Sequence, residues 1–365
     1  MTREVLITAF LDRAGYGAAE AAPLAQDASF RRYLRITGGP RPVVLMDAPP
    51  PEDVRPFLKI AAHLAAIGIS VPGIIAADEH AGLVLEEDLG DALFPTLIDT
   101  TSTASPCGRG SGGGGGSAVT QALPPLPDPL PHGEGDHWIG LFDAAIDVLA
   151  AIHRAPPPPS LPAWDATTMR DTALGTLFDW WWPATFQSPA PAAARADVAA
   201  ALINVLAPVA AGPTVFTHRD FFAGNLIWLP DRAGLRRVGV IDFQGAALGH
   251  PAYDLVSLLQ DARRVIPKAI EARALARYLA ARPELDSAAF TDAYAACAAQ
   301  RHLRVAGQWV RLALRDKRPA YLAYGPHTWA LLGDALRHPI VAPLAVALDG
   351  WIPIAHRRNP PDLAA

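Results

Sequence analysis

Residues 214–255 read TVFTHRDFFAGNLIWLPDRAGLRRVGVIDFQGAALGHPAYDL, and the order of apolar runs, turn residues and isolated acids in them decides the fold. NLIWL and RVGVIDF are short apolar strands joined by PDRAGLR. Pro230 cannot serve a ladder there, and Gly234 accepts a turn conformation. The pattern predicts a β-hairpin centred near Ala233 and Gly234. Antiparallel pairing about that centre sets Asn225 opposite Asp242. Asp220 lies five residues ahead of Asn225 on a loop, and projects into the same space from the same end of the hairpin.

Three oxygen-bearing side chains then converge. Phosphoryl transfer asks for such a cluster: hard oxygen ligands hold Mg²⁺ against nucleotide phosphates while a separate carboxylate orients the attacking hydroxyl. Asn225 and Asp242 suit the metal, the neutral amide limiting repulsion among crowded acids. Asp220 suits the hydroxyl, because a loose transition state rewards positioning and late proton acceptance more than strong basicity. His218 and Arg219 complete the expected catalytic set.

The rest of the chain narrows the class. It has 365 residues, 51% hydrophobic and 18% charged, enough for two ordinary domains or one large bilobal one. Its net charge is −5, without a basic run that would track a nucleic acid. Cys107 and Cys297 lack metal or redox spacing, and a cytoplasmic setting is expected. The start, MTREVLITAFLDRAGYG, fits neither an export signal nor a membrane span.

Three regions are expected: 1–99 as a nucleotide-binding lobe with its hinge, 100–136 as a glycine- and proline-rich flexible insertion, and 137–365 as the catalytic and substrate-binding lobe. In the first, PLAQDASFRRYLRIT, RPVVLMDAP, SVPGIIAADEH and AGLVLEEDL read as strands, and EDVRPFLKIAAHLAAIG as a crossing helix whose start is favoured by Glu52 and Asp53. In the third, HWIGLFDAAIDVLAAIHRA is a helix stopped by the prolines from Pro156. Helical patterns also run over 197–206 and 268–314.

HRDFFAGN and IDFQ resemble the catalytic loop and metal aspartate of the aminoglycoside phosphotransferase and choline kinase-like superfamily, distant relatives of protein kinases. Within it, DASFRRYLRI, VVLMDAPPPEDVRPFLK, EEDLGD, LAAIHRAPPPP, GHPAYDLVSLLQDARR and ALRDKRPAYL look most like bacterial sugar kinases that phosphorylate the anomeric hydroxyl of N-acetylmuramate and N-acetylglucosamine in cell-wall recycling. The resemblance implies an α+β, protein kinase-like bilobal fold, a small antiparallel sheet lobe beside a larger helical lobe, with ATP and Mg²⁺ between them and a small-molecule acceptor. It implies that Asp254 braces the catalytic loop and that Glu86 to Leu89 form the hinge whose backbone meets adenine. Aminoglycosides and choline-like amino alcohols stand as alternative acceptors, and a non-catalytic nucleotide-binding pseudokinase as the alternative class.

Two departures from the kinase pattern matter. Asp27-Ala28-Ser29 replaces the glycine-rich phosphate loop, leaving backbone N–H groups and the Ser29 hydroxyl as the cradle. VVLMDAP lacks the phosphate-binding lysine, having Leu45, Met46 and Asp47, so Arg31, Arg32 and Arg35 are candidate substitutes. Trp180-Trp181-Trp182 are expected to pack between helices, and His153 and His250 to be structural. Gln300, Arg301, Arg304 and Gln308 lie near one helical stripe, for which solvent exposure is the expectation.

Overall fold

A computed structural model describes residues 2–24, 31–102 and 134–363. The chain opens with helix α1 (Arg3–Arg13), followed by strands β1 (Glu20–Pro23), β2 (Arg32–Thr37) and β3 (Val43–Asp47), helix α2 (Arg55–Ala66), and strands β4 (Ile74–Asp78) and β5 (Leu83–Glu87). The five strands form one antiparallel sheet in the order β1-β2-β3-β5-β4. All four expected strand segments contribute to it. The helix α1, in contrast, had no counterpart in the sequence reading.

Alternation along the strands explains why both sheet faces are covered. Val43 and Leu45 of β3, with Ile36, Leu83 and Leu85, pack on Phe10 and Leu11 of α1. Met46 and Val84 point the other way and join Phe57, Ile60 and Leu64 of α2 in the main core. Asp47 falls on the α1 face and is fully buried. It accepts Nε of Arg3 at 2.8 Å and Nε of Arg32 at 3.0 Å, the pairing that lets a carboxylate sit in that layer.

Helix α3 (Phe94–Ser102) leads out of this lobe, and α4 (Glu134–Arg154) opens the next. These helices occupy both ends of the expected 100–136 insertion, and its remainder, with Cys107, lies outside the described residues. The helical lobe continues with β6 (Ala163–Trp164), α5 (Ala166–Thr176), a π turn into α6 (Trp182–Phe186), α7 (Ala192–Val205) and α8 (Ala207–Ala211). Strands β7 (Val215–Thr217), β8 (Leu226–Trp228), β9 (Val238–Val240) and β10 (Ala247–Gly249) follow, then α9 (Ala252–Leu259), α10 (Lys268–Ala281), α11 (Ser287–Leu314), α12 (Gly325–Ala335) and α13 (Ala342–Trp351).

Helix α11 is the central spar of this lobe. At Gly307 it passes so close to the end of α5 that an added Cβ would lie 2.4 Å from the Thr176 backbone, so only glycine fits. Trp181 and Trp182 are buried, Trp181 against Trp329 with ring centroids 5.1 Å apart, the interhelical packing expected of them. Cys297 is a buried free thiol of α11. Among the described residues no single helix is long and apolar enough to cross a membrane.

Candidate active site

Strands β8 and β9 form the expected antiparallel hairpin, with Leu226 opposite Val240. The register differs by one residue from that expected: the Ile241 amide donates to the Asn225 carbonyl at 3.1 Å, so Ile241 rather than Asp242 faces Asn225. Asp242 nevertheless meets Asn225, because it turns into the left-handed region at φ 61°, which Asp adopts more readily than most residues. Asn225 Nδ2 donates to the Asp220 backbone oxygen at 2.9 Å and lies 3.4 Å from Asp242 Oδ2. The Asp220, Asn225 and Asp242 segments are therefore brought together. Phe243 fixes the turn from behind by stacking on Phe57 of α2, centroids 4.9 Å apart.

The loop between β7 and β8 is held from beneath by Asp254, in the first turn of α9. Its buried carboxylate accepts the His218 amide at 2.6 Å and the Arg219 amide at 2.8 Å. Behind it, His153 Nε2 lies 3.3 Å from Asp254 Oδ2, and His153 Nδ1 2.8 Å from the Tyr278 hydroxyl. An unpaired buried carboxylate costs several kcal/mol, and this set of donors offsets that cost. His153 is thereby structural, as expected of it.

His218 and Arg219 lie deeper than a reacting group. His218 is buried, and its Nε2 donates to the Ile241 carbonyl at 3.1 Å, tying the loop to the residue before Asp242. Arg219, at φ 74°, donates from Nη1 to the Gly245 carbonyl at 3.1 Å and lies over the Trp164 ring. Both position the loop. Asp220 presents a half-open side chain, 51% exposed, beside the buried Arg301.

Burial pushes the Asp220 carboxyl up, but Arg301, Arg304, His218 and Arg219 outweigh it and hold it below the usual carboxylate range. Asp242 goes the other way: burial first, with the Asp220 charge adding, raises it against the Gln244 hydrogen bond and Arg31. A carboxylate so placed gains from a bound cation. Among the described residues no three His, Cys, Asp or Glu side chains cluster as a metal cage. Mg²⁺ needs none, since one or two protein oxygens plus phosphates and water satisfy it. The Asn225 amide nitrogen is the atom engaged by Asp220 and Asp242, so Oδ1 remains as its donor to a cation, and with the Asp242 carboxylate it makes a hard-oxygen set that fits that ion.

Of the candidate cations on the sheet, Arg31 and Arg35 share one face and Arg32 the other. Arg32 is bonded to Asp47 on the α1 side, the sheet face opposite Arg31, which sets it apart from the other cofactor-binding candidates. Arg35 is spent on Asp88 and Asp91, at 2.6 and 2.8 Å. Arg31 is buried, pairs with Glu52 at 3.1 Å, and its charge reaches both Asp242 and the Tyr33 hydroxyl. Glu86 is buried at the end of β5, and burial pushes it up to about 8 against the pull of Arg31. Leu89 follows and packs towards Gly239 of β9. Ser29 and its Asp27-Ala28 neighbours lie outside the described residues.

The expected exposure of the α11 stripe is overturned at its inner end: Gln300 and Arg301 are buried. Arg301 Nη1 donates to the Arg219 carbonyl at 3.0 Å and stands 3.9 Å from Asp220 Oδ1. A helical period shows that residues share a face; it does not show that the face abuts a catalytic loop. Interruption of that face by large cations, in a helix rich in Ala, was the available signal.

A five-stranded lobe, a helical lobe and a loop-and-hairpin site between them define a kinase-like phosphotransferase. The profile of the phosphotransferase enzyme family matches residues 20–99 and 130–291, and the chain belongs to that family. It is 37% identical over 391 aligned residues to an N-acetylmuramate/N-acetylglucosamine kinase of Caulobacter vibrioides, covering 98% of each chain. It is 32% identical to one of Pseudomonas aeruginosa, covering 90% of this chain and 88% of that one. In fold it is similar to a choline/ethanolamine kinase family protein from Mesorhizobium loti, at TM-score 0.57 and 15% identity, over 95% and 99% of the two chains.

Proposed function

We propose that this enzyme uses ATP and Mg²⁺ to phosphorylate an amino sugar, at the anomeric hydroxyl of N-acetylmuramate or N-acetylglucosamine, as a cytoplasmic step of cell-wall recycling. The observation that carries the chemistry is the meeting of Asn225 and Asp242 at 3.4 Å beside the Asp220 loop. The names of the relatives from C. vibrioides and P. aeruginosa support the acceptor.

In this reading Asp220 receives the acceptor hydroxyl, orients it and takes its proton as the new bond forms. Its depressed pKa keeps it ionised, ready to accept that hydrogen bond. Asn225 Oδ1 and Asp242 hold Mg²⁺, which when bound neutralises charge on the phosphates being separated. Asp254 and His218 fix the loop on which Asp220 rides, and Arg31, kept in place by Glu52, supplies the phosphate-binding cation that β3 lacks. The backbone of Glu86 to Leu89 meets the adenine.

Purified protein with Mg-ATP and a panel of sugars tests this, with sugar 1-phosphate from both acetylated amino sugars as the expected product. No sugar phosphate from the wild type, or unchanged turnover in Asp220→Asn, refutes it. A cationic acceptor such as an aminoglycoside is disfavoured by Arg301 and Arg304, whose charges already act on Asp220. Competition between acceptors in the same assay separates the two.

A further inference from the structure

Between Ala293 and Leu312 every residue of α11 is buried except Arg304, Gln308 and Arg311. Spacings of four and three place these on one line along the helix. Arg301 continues the line inward to Asp220, at 3.9 Å. The line is thus the partly open edge of α11, and the Arg304 charge, like that of Arg301, acts on Asp220.

Its cations are unmatched. Elsewhere arginines meet acids, as Arg273 meets Asp143, Arg277 meets Asp147 and Arg264 meets Asp99. Arg304 has no hydrogen-bond or ion-pair partner among the described residues, and its Nε is buried. Arg311 Nε is likewise buried without an acceptor, the nearby Asp316 being engaged by Arg315 at 2.7 Å. Two acids stand at the inner end: Asp220 beside Arg301, and buried Asp261, which accepts the Arg263 amide. Arg219 adds a further positive charge. Desolvated guanidinium groups without acceptors are costly, and a forked cation answers a carboxylate.

We propose that Arg304, assisted by Gln308 and the outlying charge of Arg311, is a carboxylate-binding subsite that makes an anionic amino sugar the preferred acceptor. The proposal rests on the sugar-kinase reading above and refines it. Arg304 lies one turn from Arg301, about 4.5 Å of helix rise, comparable to the span of a sugar ring. A sugar whose reacting hydroxyl meets Asp220 thus brings an acidic substituent on its far side, such as the lactyl ether of N-acetylmuramate, to Arg304.

The test compares kcat/KM of the full chain for N-acetylmuramate, its neutral methyl ester and N-acetylglucosamine at low and high salt. The acid should exceed its ester by about tenfold or more, as expected for a charge-assisted hydrogen bond, and the ratio should shrink with salt. In Arg304→Gln the acid-to-ester ratio should fall towards one, while Arg304→Lys should retain part of it. Equal use of acid and ester by the wild type, or an unchanged ratio in Arg304→Gln, overturns the subsite while leaving the sugar kinase standing. No turnover of any sugar overturns both. The wild-type comparison needs no variant to fold.

Discussion

Arg31 and Glu52 form an ion pair, Nε to Oε2 at 3.1 Å, that ties the start of β2 to the segment entering α2. Sequence spacing alone offers three arginines for the missing lysine; Arg32 and Arg35 are bonded to acids away from Asp242, whereas the Arg31 charge acts on Asp242. Arg31→Met should lower kcat/KM for ATP by about a hundredfold, the usual cost of losing one charged stabiliser. Glu52→Gln should cost about tenfold or less, since the cation stays but is held less firmly. Initial rates with ATP varied at saturating sugar check both, and a wild-type value for Arg31→Met would reassign the phosphate cation.

The Asp254 carboxylate should be needed for stability and turnover together. Asp254→Asn keeps the shape but offers one acceptor oxygen where two backbone amides and His153 now converge. We expect a loss of about 3 kcal/mol in unfolding free energy and a fall in kcat with KM for ATP little changed. Denaturant unfolding and steady-state kinetics on one preparation separate this from a residue that only contacts nucleotide.

Two buried groups set opposite limbs of the stability profile. Glu86 is pushed up to about 8 by burial, so its contribution to folding is complete below the ordinary glutamate range and is lost as pH rises through 8. His250 is pushed down to about 4, by burial first and His153 second. Its contribution is complete above the ordinary histidine range and is lost as pH falls through 4. Tm measured from pH 4 to 9 should therefore fall at both ends. Glu86→Gln should flatten the alkaline limb and leave the acid limb; an unaltered alkaline slope in that variant contradicts the assignment.

How much of this was legible beforehand depended on what each residue answers to. Asp220, Asn225 and Asp242 stand out because the chemistry demands oxygen ligands at fixed places in an apolar hairpin. Their precise pairing was not legible: the hairpin sets Ile241 opposite Asn225, the left-handed turn at Asp242 brings that side chain back to Asn225, and no pairing rule reports a single residue's φ. Strand alternation puts Arg31 and Arg32 on opposite faces, yet both stood as candidates, because only the buried Asp47 shows which face is which. Arg301 was misread as exposed because periodicity describes a helix without its neighbours. Residues that answer only to tertiary packing, such as Gly307 against Thr176, gave no advance sign.

Asp220 and Asp242 both meet Asn225 but should fail differently. Asp242→Asn removes the carboxylate of the proposed metal pair and leaves an amide beside the Asn225 amide, so Mg-ATP should no longer protect the fold. Asp220→Asn leaves that pair untouched while taking away the group proposed to meet the acceptor hydroxyl; nucleotide should still bind, and kcat should fall by about 10²–10⁴. With Mg-ATP at a hundred times its Kd, binding stabilises a folded protein by about 2.7 kcal/mol, enough to read as a Tm shift. The expected result is a wild-type-sized shift in Asp220→Asn, none in Asp242→Asn, and phosphotransfer lost in both. A full shift in Asp242→Asn would move the metal ligand elsewhere. A shift in the wild type with no turnover of any acceptor would instead identify a nucleotide-binding scaffold.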